Sequence, residues 1–157
     1  MSDNIYNQRI DYLKNDFLDE NKLPDNPFEL FKGWYKVALN QVVKDPNAMI
    51  LSTLKDDKPR SRVVLLKNLD EKGFTYFTNY NSAKVQETNI NQNASITFFW
   101  RDLERQIRIE GKVEKVTEKE SDDYFMSRPE GSRIGAWASP QSKEIKSRKQ
   151  IEDAVEE

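Results

Sequence analysis

The 157-residue chain contains no cysteine and no histidine. Lack of cysteine excludes disulfides and thiol catalysis, while leaving the redox compartment open. Lack of histidine removes the commonest general base and metal ligand. Any catalysis must rest on other groups or on a cofactor. No apolar run reaches the 18 residues that a membrane-spanning helix needs. The N-terminus lacks the basic-then-apolar order of a secretory leader. Cytoplasm is therefore the expected location. Excess positive charge is missing too: the net charge is −2, and no basic aromatic stripe marks a nucleic-acid binder.

Apolar residues make up 36% of the chain against 33% charged, with a mean hydropathy of −0.87. A domain of this length buries roughly 68–70% of its unfolded surface, so the composition is lean for a self-sufficient core. Polar ends and a subunit completed by a partner are the two explanations. The first 26 and last 15 residues are visibly polar and account for part of it.

Asn26, Pro27 and Glu29 signal a helix start: a cap, a residue suited to the first helical position, and a negative charge in the first turn. Leu30, Phe31, Trp34, Val37, Ala38 and Val42 follow with helical spacing, and Lys44–Asp45–Pro46–Asn47 ends the run. Five stretches rich in β-branched or aromatic residues come next, at 48–54, 60–67, 74–79, 94–101 and 105–116. Turn residues at 55–59, 68–73 and 101–103 separate them. A short helix interrupts at 83–90, with Ser82 as its N-cap. Thr117 and Glu120 have capping-box spacing for a helix through Tyr124 towards Arg128, broken by Pro129 and Gly131. A last helix is expected from near Ser142, ending at Glu156 and Glu157 without a stop signal, as a chain end imposed on the sequence or a frayed terminus. The expected class is mainly β with flanking helices (α+β), the strands forming a small antiparallel barrel. The expected division is a flexible segment over 1–22, one domain over 23–142, and a C-terminal helix, possibly truncated, over 143–157.

Two anion sites are expected. If 60–67 and 74–79 form a hairpin, Arg62 lies across from Thr78 or Asn79. Ser82 and Lys84, at the N-terminus of the next helix, then converge with Arg62 on one anion. The bland reading is solvated charges beside a capped helix, and spacing does not separate the two. Lys67 lies five residues further along, roughly 16 Å away and on the opposite face by parity. It implies a second anion. Tyr124 and Arg128, four apart on a helix, and Ser132 form a candidate partner set, against the alternative of a surface Arg beside a half-buried Tyr. Val63, Val64, Leu65 and Leu66 are apolar on both faces, as in a strand covered on both sides. A flat aromatic ligand can lie against such a strand. Gln106 is a candidate for a ring imide, and Gln141 and Ser142 read as a loop and an N-cap. Trp34, Trp100 and Trp137 read as core or interface.

These residues occur in a telling order. Arg62 to Lys67 read Arg-Val-Val-Leu-Leu-Lys, and Tyr76 to Asn79 read Tyr-Phe-Thr-Asn. Ser82 and Lys84 follow, then Glu104-Arg105-Gln106 and Tyr124-Phe125 with Ser127-Arg128-Pro129. Ser132, Ile134 to Trp137, and Gln141-Ser142 complete the series. It resembles the pyridoxine/pyridoxamine 5′-phosphate oxidase family over residues 23–142. The resemblance implies an FMN-binding split β-barrel, a homodimer and FMN at the subunit interface. It assigns Arg62, Ser82 and Lys84 to the FMN phosphate, and Val63, Val64, Leu65, Phe77, Thr78, Gln106, Gln141 and Ser142 to other FMN contacts. It assigns Lys67, Tyr124, Arg128 and Ser132 to the substrate phosphate, and matches Arg9 and Tyr12 to a segment that covers the occupied site.

The implied reaction is oxidation of pyridoxine or pyridoxamine 5′-phosphate to pyridoxal 5′-phosphate, with O2 as acceptor and H2O2 as product. The chain departs from the family pattern at Ala83, where a second basic residue is usual. It also lacks the family's C-terminal Arg-x-His pair, which a chain without histidine cannot contain. Another split-barrel flavin reductase, a non-catalytic binder of FMN or pyridoxal phosphate, and a nucleic-acid-binding small barrel are the alternatives.

Overall fold

The computed structural model describes residues 18–41 and 43–156. Arg9 and Tyr12, together with the expected flexible segment over its first 17 residues, lie outside the described residues, as does Val42. The chain divides into two compact units: one runs to Pro46 and takes in Phe98–Ile107, and the other comprises Asn47–Thr97 and the chain from Arg108 onward.

The first unit is built on helix α1, Pro27–Asn40. Asn26 caps it by accepting from the Phe28 N–H at 2.9 Å, with Pro27 in the first turn where its missing N–H is harmless. Its apolar stripe carries Phe31 and Ala38 into the unit's core beside Phe98, Trp100 and Leu103. Phe31 lies 5.0 Å from the Phe98 ring and 5.9 Å from that of Trp100, both tilted as aromatic quadrupoles prefer. The Trp100 indole N–H donates to the Pro46 carbonyl, and Arg105 lies over Trp34.

The second unit holds most of the sheet. Strands β1 (Ala48–Lys55) and β2 (Lys58–Leu65) form a hairpin. Asp56 and Asp57, both at positive φ, make its two-residue turn, the twist that such hairpins require. Strands β5 (Asn93–Trp100) and β6 (Arg105–Lys112) complete an antiparallel four-stranded sheet in the order β2-β1-β5-β6. A second, two-stranded sheet is formed by β3 (Asn68–Asp70) and β4 (Gly73–Thr75). Helix α2 (Ala83–Ile90) packs on β1 through Val85, Glu87 and Thr88. Helices α3 (Glu118–Ser127), α4 (Glu130–Ala138) and α5 (Lys149–Glu156) follow. The Thr117–Glu120 capping box opens α3 as expected, each residue satisfying the other's backbone N–H. No described helix is long and apolar enough to cross a membrane.

Several expectations need correction. Residues 60–65 pair with β1 and not with 74–79. Arg62 sits opposite Leu51 of β1, because the tight Asp56–Asp57 turn folds β2 back on β1 first. At Leu66 and Lys67 the backbone changes partners, the Leu66 N–H bonding to Asn47 and the Lys67 N–H to Thr75. Parity counted from Arg62 therefore stops at Leu65. Tyr76 to Asn79 leave the ladder, and Phe77, Thr78 and Asn79 make side-chain contacts elsewhere. The segment 68–73 is no simple turn, since β3 occupies its first half. Within the single chain β2 is the edge strand of its sheet, and Val63 (66% exposed), Leu65 and Ile50 of β1 face outward.

The break expected after Arg128 is present, α3 ending at Ser127, but Gly131 is not part of it: it lies in the first turn of α4, which begins at Glu130. Ser142 does not cap the last helix, which begins at Lys149. Ser142 instead takes a left-handed conformation at φ 65° beside the turn closed from Lys143 N–H to the Pro140 carbonyl.

Candidate functional site

Within the second unit, one polar cluster gathers where β1, β2 and α2 meet. Arg62, 22% exposed, extends from β2 across Leu51 and pairs with Glu87 of α2 at 2.6 Å. It also donates to the Leu51 carbonyl and the Thr53 hydroxyl, and Thr53 donates to Glu87. Glu87 is 3% exposed. Burial pushes its carboxyl up, but hydrogen bonds from Thr53 and Arg62 and the charges of Arg62 and Arg60 outweigh that and hold it below the ordinary value.

Lys84, one helical turn before Glu87, donates to the Thr78 hydroxyl and the Gln141 side-chain carbonyl, each at 3.0 Å. Thr78 also donates to Gln141 at 3.2 Å. Burial and then the nearby Arg62 charge lower the Lys84 pKa, against an opposing pull from Glu87. Tyr76 is half-buried with its phenol pKa raised by burial, and it feels the same guanidinium. Ser82 occupies the N-cap position of α2, but it makes no capping bond there, a correction to its expected role. Its hydroxyl is fully buried and without a partner among the described residues.

That donor set suits a phosphate monoester: a lysine ammonium, an arginine with donors to spare, a helix N-terminus and an orphaned hydroxyl. Val63, Val64 and Leu65 lie on the same strand as Arg62, with Val63 and Leu65 exposed.

A second grouping forms around Tyr124 of α3. Its ring stacks on Phe77 with centroids 3.9 Å apart, and the Lys67 ammonium lies 5.8 Å from its centroid. Arg128 does not continue the α3 face that carries Tyr124. It is the C-cap in extended conformation, so helical spacing no longer places it, because Pro129 disfavours a helical residue before it. Ser132 is exposed in the first turn of α4, its N–H bonded to the Pro129 carbonyl. Gln106 belongs to the first unit and is exposed on β6. Of the three tryptophans, Trp100 is core, Trp34 half-buried and Trp137 82% exposed on α4. No cluster of acidic side chains among the described residues could hold a metal ion.

Thr53 and Glu87 of the first cluster were not singled out in the sequence, and Tyr76 entered only as part of the Tyr76–Asn79 motif. Glu87 had one usable signal, a charge spaced between Val85 and Thr88 on the buried face of a short helix.

Comparison with known proteins now bears on these two groupings. Residues 36–157 match the family model described as pyridoxamine 5′-phosphate oxidase. The chain belongs to this family. It is 52% identical over 158 residues to a Pseudomonas putida (strain W619) protein named pyridoxine/pyridoxamine 5′-phosphate oxidase, covering 99% of this chain and 73% of that protein. A protein of the same name from Ectopseudomonas mendocina (strain ymp) is 50% identical over 160 residues, covering 100% and 74%. Among solved structures, PhzG from Burkholderia lata 383, in complex with tetrahydrophenazine-1-carboxylic acid, superposes with a TM-score of 0.84 at 28% identity, covering 90% of this chain and 71% of that one. A pyridoxamine 5′-phosphate oxidase-related, FMN-binding protein from Nostoc punctiforme matches in fold, with a TM-score of 0.62 at 15% identity over 83% of this chain and 73% of its own. The family's α+β architecture is thus the one expected from the sequence.

Proposed function

We propose that the chain oxidises pyridoxine 5′-phosphate or pyridoxamine 5′-phosphate to pyridoxal 5′-phosphate, with FMN as cofactor and O2 as acceptor. The observation that carries this reading is the separation of its cations into two settings. Lys84 stands in the first turn of α2 with Arg62 paired to Glu87 of the same helix, and Lys67 stands at the Phe77–Tyr124 stack. Such a reaction needs one anion grip for a cofactor phosphate and another for a substrate phosphate. The family match and the relatives' names support a pyridoxine or pyridoxamine phosphate as substrate, and the FMN-binding protein of like fold supports FMN as cofactor.

Held by these residues, FMN would supply the redox chemistry: acceptance of a hydride from the substrate's C4′ carbon and return of the electrons to O2 as H2O2. The chain's own residues position and neutralise. Arg62, Lys84 and Ser82 hold the FMN phosphate, while Thr78 and Gln141 orient Lys84 through the bonds they already make to it. Val63, Val64, Leu65, Phe77 and Ser142 contribute further FMN contacts. Lys67, Tyr124, Arg128 and Ser132 hold the substrate phosphate. The outward-facing Ile50, Val63 and Leu65 are an apolar face that a second subunit would cover, and they support a homodimer with FMN at its interface.

The test is to purify the protein, record its visible spectrum, and add pyridoxine 5′-phosphate in air. A yellow protein yielding pyridoxal 5′-phosphate and peroxide is the expected result. Flavin retained without turnover points to a binding protein instead. A colourless protein that FMN cannot reconstitute refutes the proposal.

A further inference from the structure

Arg62 is a long side chain on an edge strand, where rotamer freedom opposes any fixed use of its guanidinium. Here its donors are divided. Of five N–H groups, the two on Nη1 go to the Leu51 carbonyl and the Thr53 hydroxyl, and one on Nη2 goes to Glu87. Among the described residues, Nε–H and the other Nη2 hydrogen remain available to a ligand. Two donors on one guanidinium suit two oxygens of a phosphate.

Glu87 is itself held. One oxygen takes both Thr53 and Arg62, while the other is buried without a hydrogen bond, 3.8 Å from Arg60. A buried carboxylate beside a proposed phosphate site is unfavourable unless it does something there. Its single charge offsets only part of the positive charge on Arg60, Arg62 and Lys84, so the site stays cationic.

We infer that Glu87, working with Thr53, is a positioning residue that fixes the Arg62 guanidinium so that its free donors receive the flavin phosphate. The inference rests on the proposed reading of Arg62 as a phosphate ligand. It makes Glu87 a contributor to discrimination between a phosphorylated flavin and the same ring system without phosphate. Thr53 bridges the carboxylate and the guanidinium, so a loss at either residue releases Arg62 from one side of its frame.

The experiment titrates apoprotein with FMN and separately with riboflavin, following quenching of flavin fluorescence, for wild type, Glu87→Ala, Glu87→Gln and Thr53→Val. Glutamine keeps an acceptor at the same reach. Loss of a bond to a charged group predicts that Glu87→Ala lowers the FMN-over-riboflavin preference by about tenfold or more. Thr53→Val should lower it less, and Glu87→Gln should stay within about threefold of wild type. Should Glu87→Ala fail to fold, Thr53→Val against Glu87→Gln carries the comparison. Preference unchanged or raised in Glu87→Ala or Thr53→Val overturns the inference while leaving the phosphate site standing. Equal loss of both flavins, unrescued by glutamine, marks a merely structural role and also overturns it. A wild-type chain that binds FMN no better than riboflavin removes the phosphate grip itself, and this inference with it.

Discussion

Phe77 and Tyr124 stack face to face, with centroids 3.9 Å apart and planes 6° from parallel. Phe77 follows β4, and Tyr124 lies on α3, 47 positions later in the chain. The stack joins a residue proposed to contact the cofactor with one proposed to hold the substrate.

That contact predicts energetic coupling. Phe77→Ala and Tyr124→Ala should each weaken substrate binding, and the double variant should be less than additive. Aromatic pairs contribute about 0.5–1.5 kcal/mol beyond area burial, which sets the expected coupling. A double-mutant cycle on the KM for pyridoxine 5′-phosphate measures it, and additive losses would contradict it.

The two-setting arrangement predicts a split in phenotype. Lys67→Ala and Arg128→Ala should raise the KM for substrate, each by about tenfold or more for a charge-assisted bond lost, with flavin retained. Arg62→Ala should do the reverse, releasing FMN on dialysis. Indistinguishable effects across the three variants would undo the assignment.

Lys84 predicts an alkaline limit. Its lowered pKa means that the ammonium discharges below the ordinary lysine value of 10.5. Only the charged form grips phosphate, so FMN affinity should fall as pH rises through that lowered value. Riboflavin affinity should not follow. Lys84→Arg, which stays charged, should flatten the FMN profile, and an unchanged profile in that variant would count against the role.

Glu87 predicts an acid limit on stability. Its carboxyl pKa in the folded chain lies below the ordinary value of 4.5. The sign follows: the contribution is complete above the unfolded value and is lost as pH falls through the folded one. Melting temperatures of wild type should therefore drop between neutral pH and the acid range more steeply than those of Glu87→Gln. Parallel profiles would show that Glu87 contributes nothing to acid sensitivity.

Much of the fold was legible along the chain because the signals were local. Asn26 and Pro27 mark the start of α1, Thr117 and Glu120 that of α3, and α2 spans Ala83–Ile90 as its pattern indicates. Caps and periodicity act within a few residues, and sequence displays them directly. Pairing was not legible. Nothing local shows that Leu66 bonds to Asn47 while Lys67 bonds to Thr75, nor that Arg62 faces Leu51. The helix Glu130–Ala138 was hidden by a glycine that reads as a breaker.

For the site, residue order alone singled out Arg62, Lys84, Lys67 and Tyr124 and suggested two separate anions. Tertiary structure decided which groups share each setting. It brought Gln141 to Lys84 across 57 positions and Glu87 to Arg62 across 25. Those separations are bridged by burial of α2 on β1 and by the return of the chain after α4, and no short-range propensity encodes them. A charge reads from sequence as a charge. Whether it is solvated, paired or aimed at a ligand depends on what the folded chain places beside it.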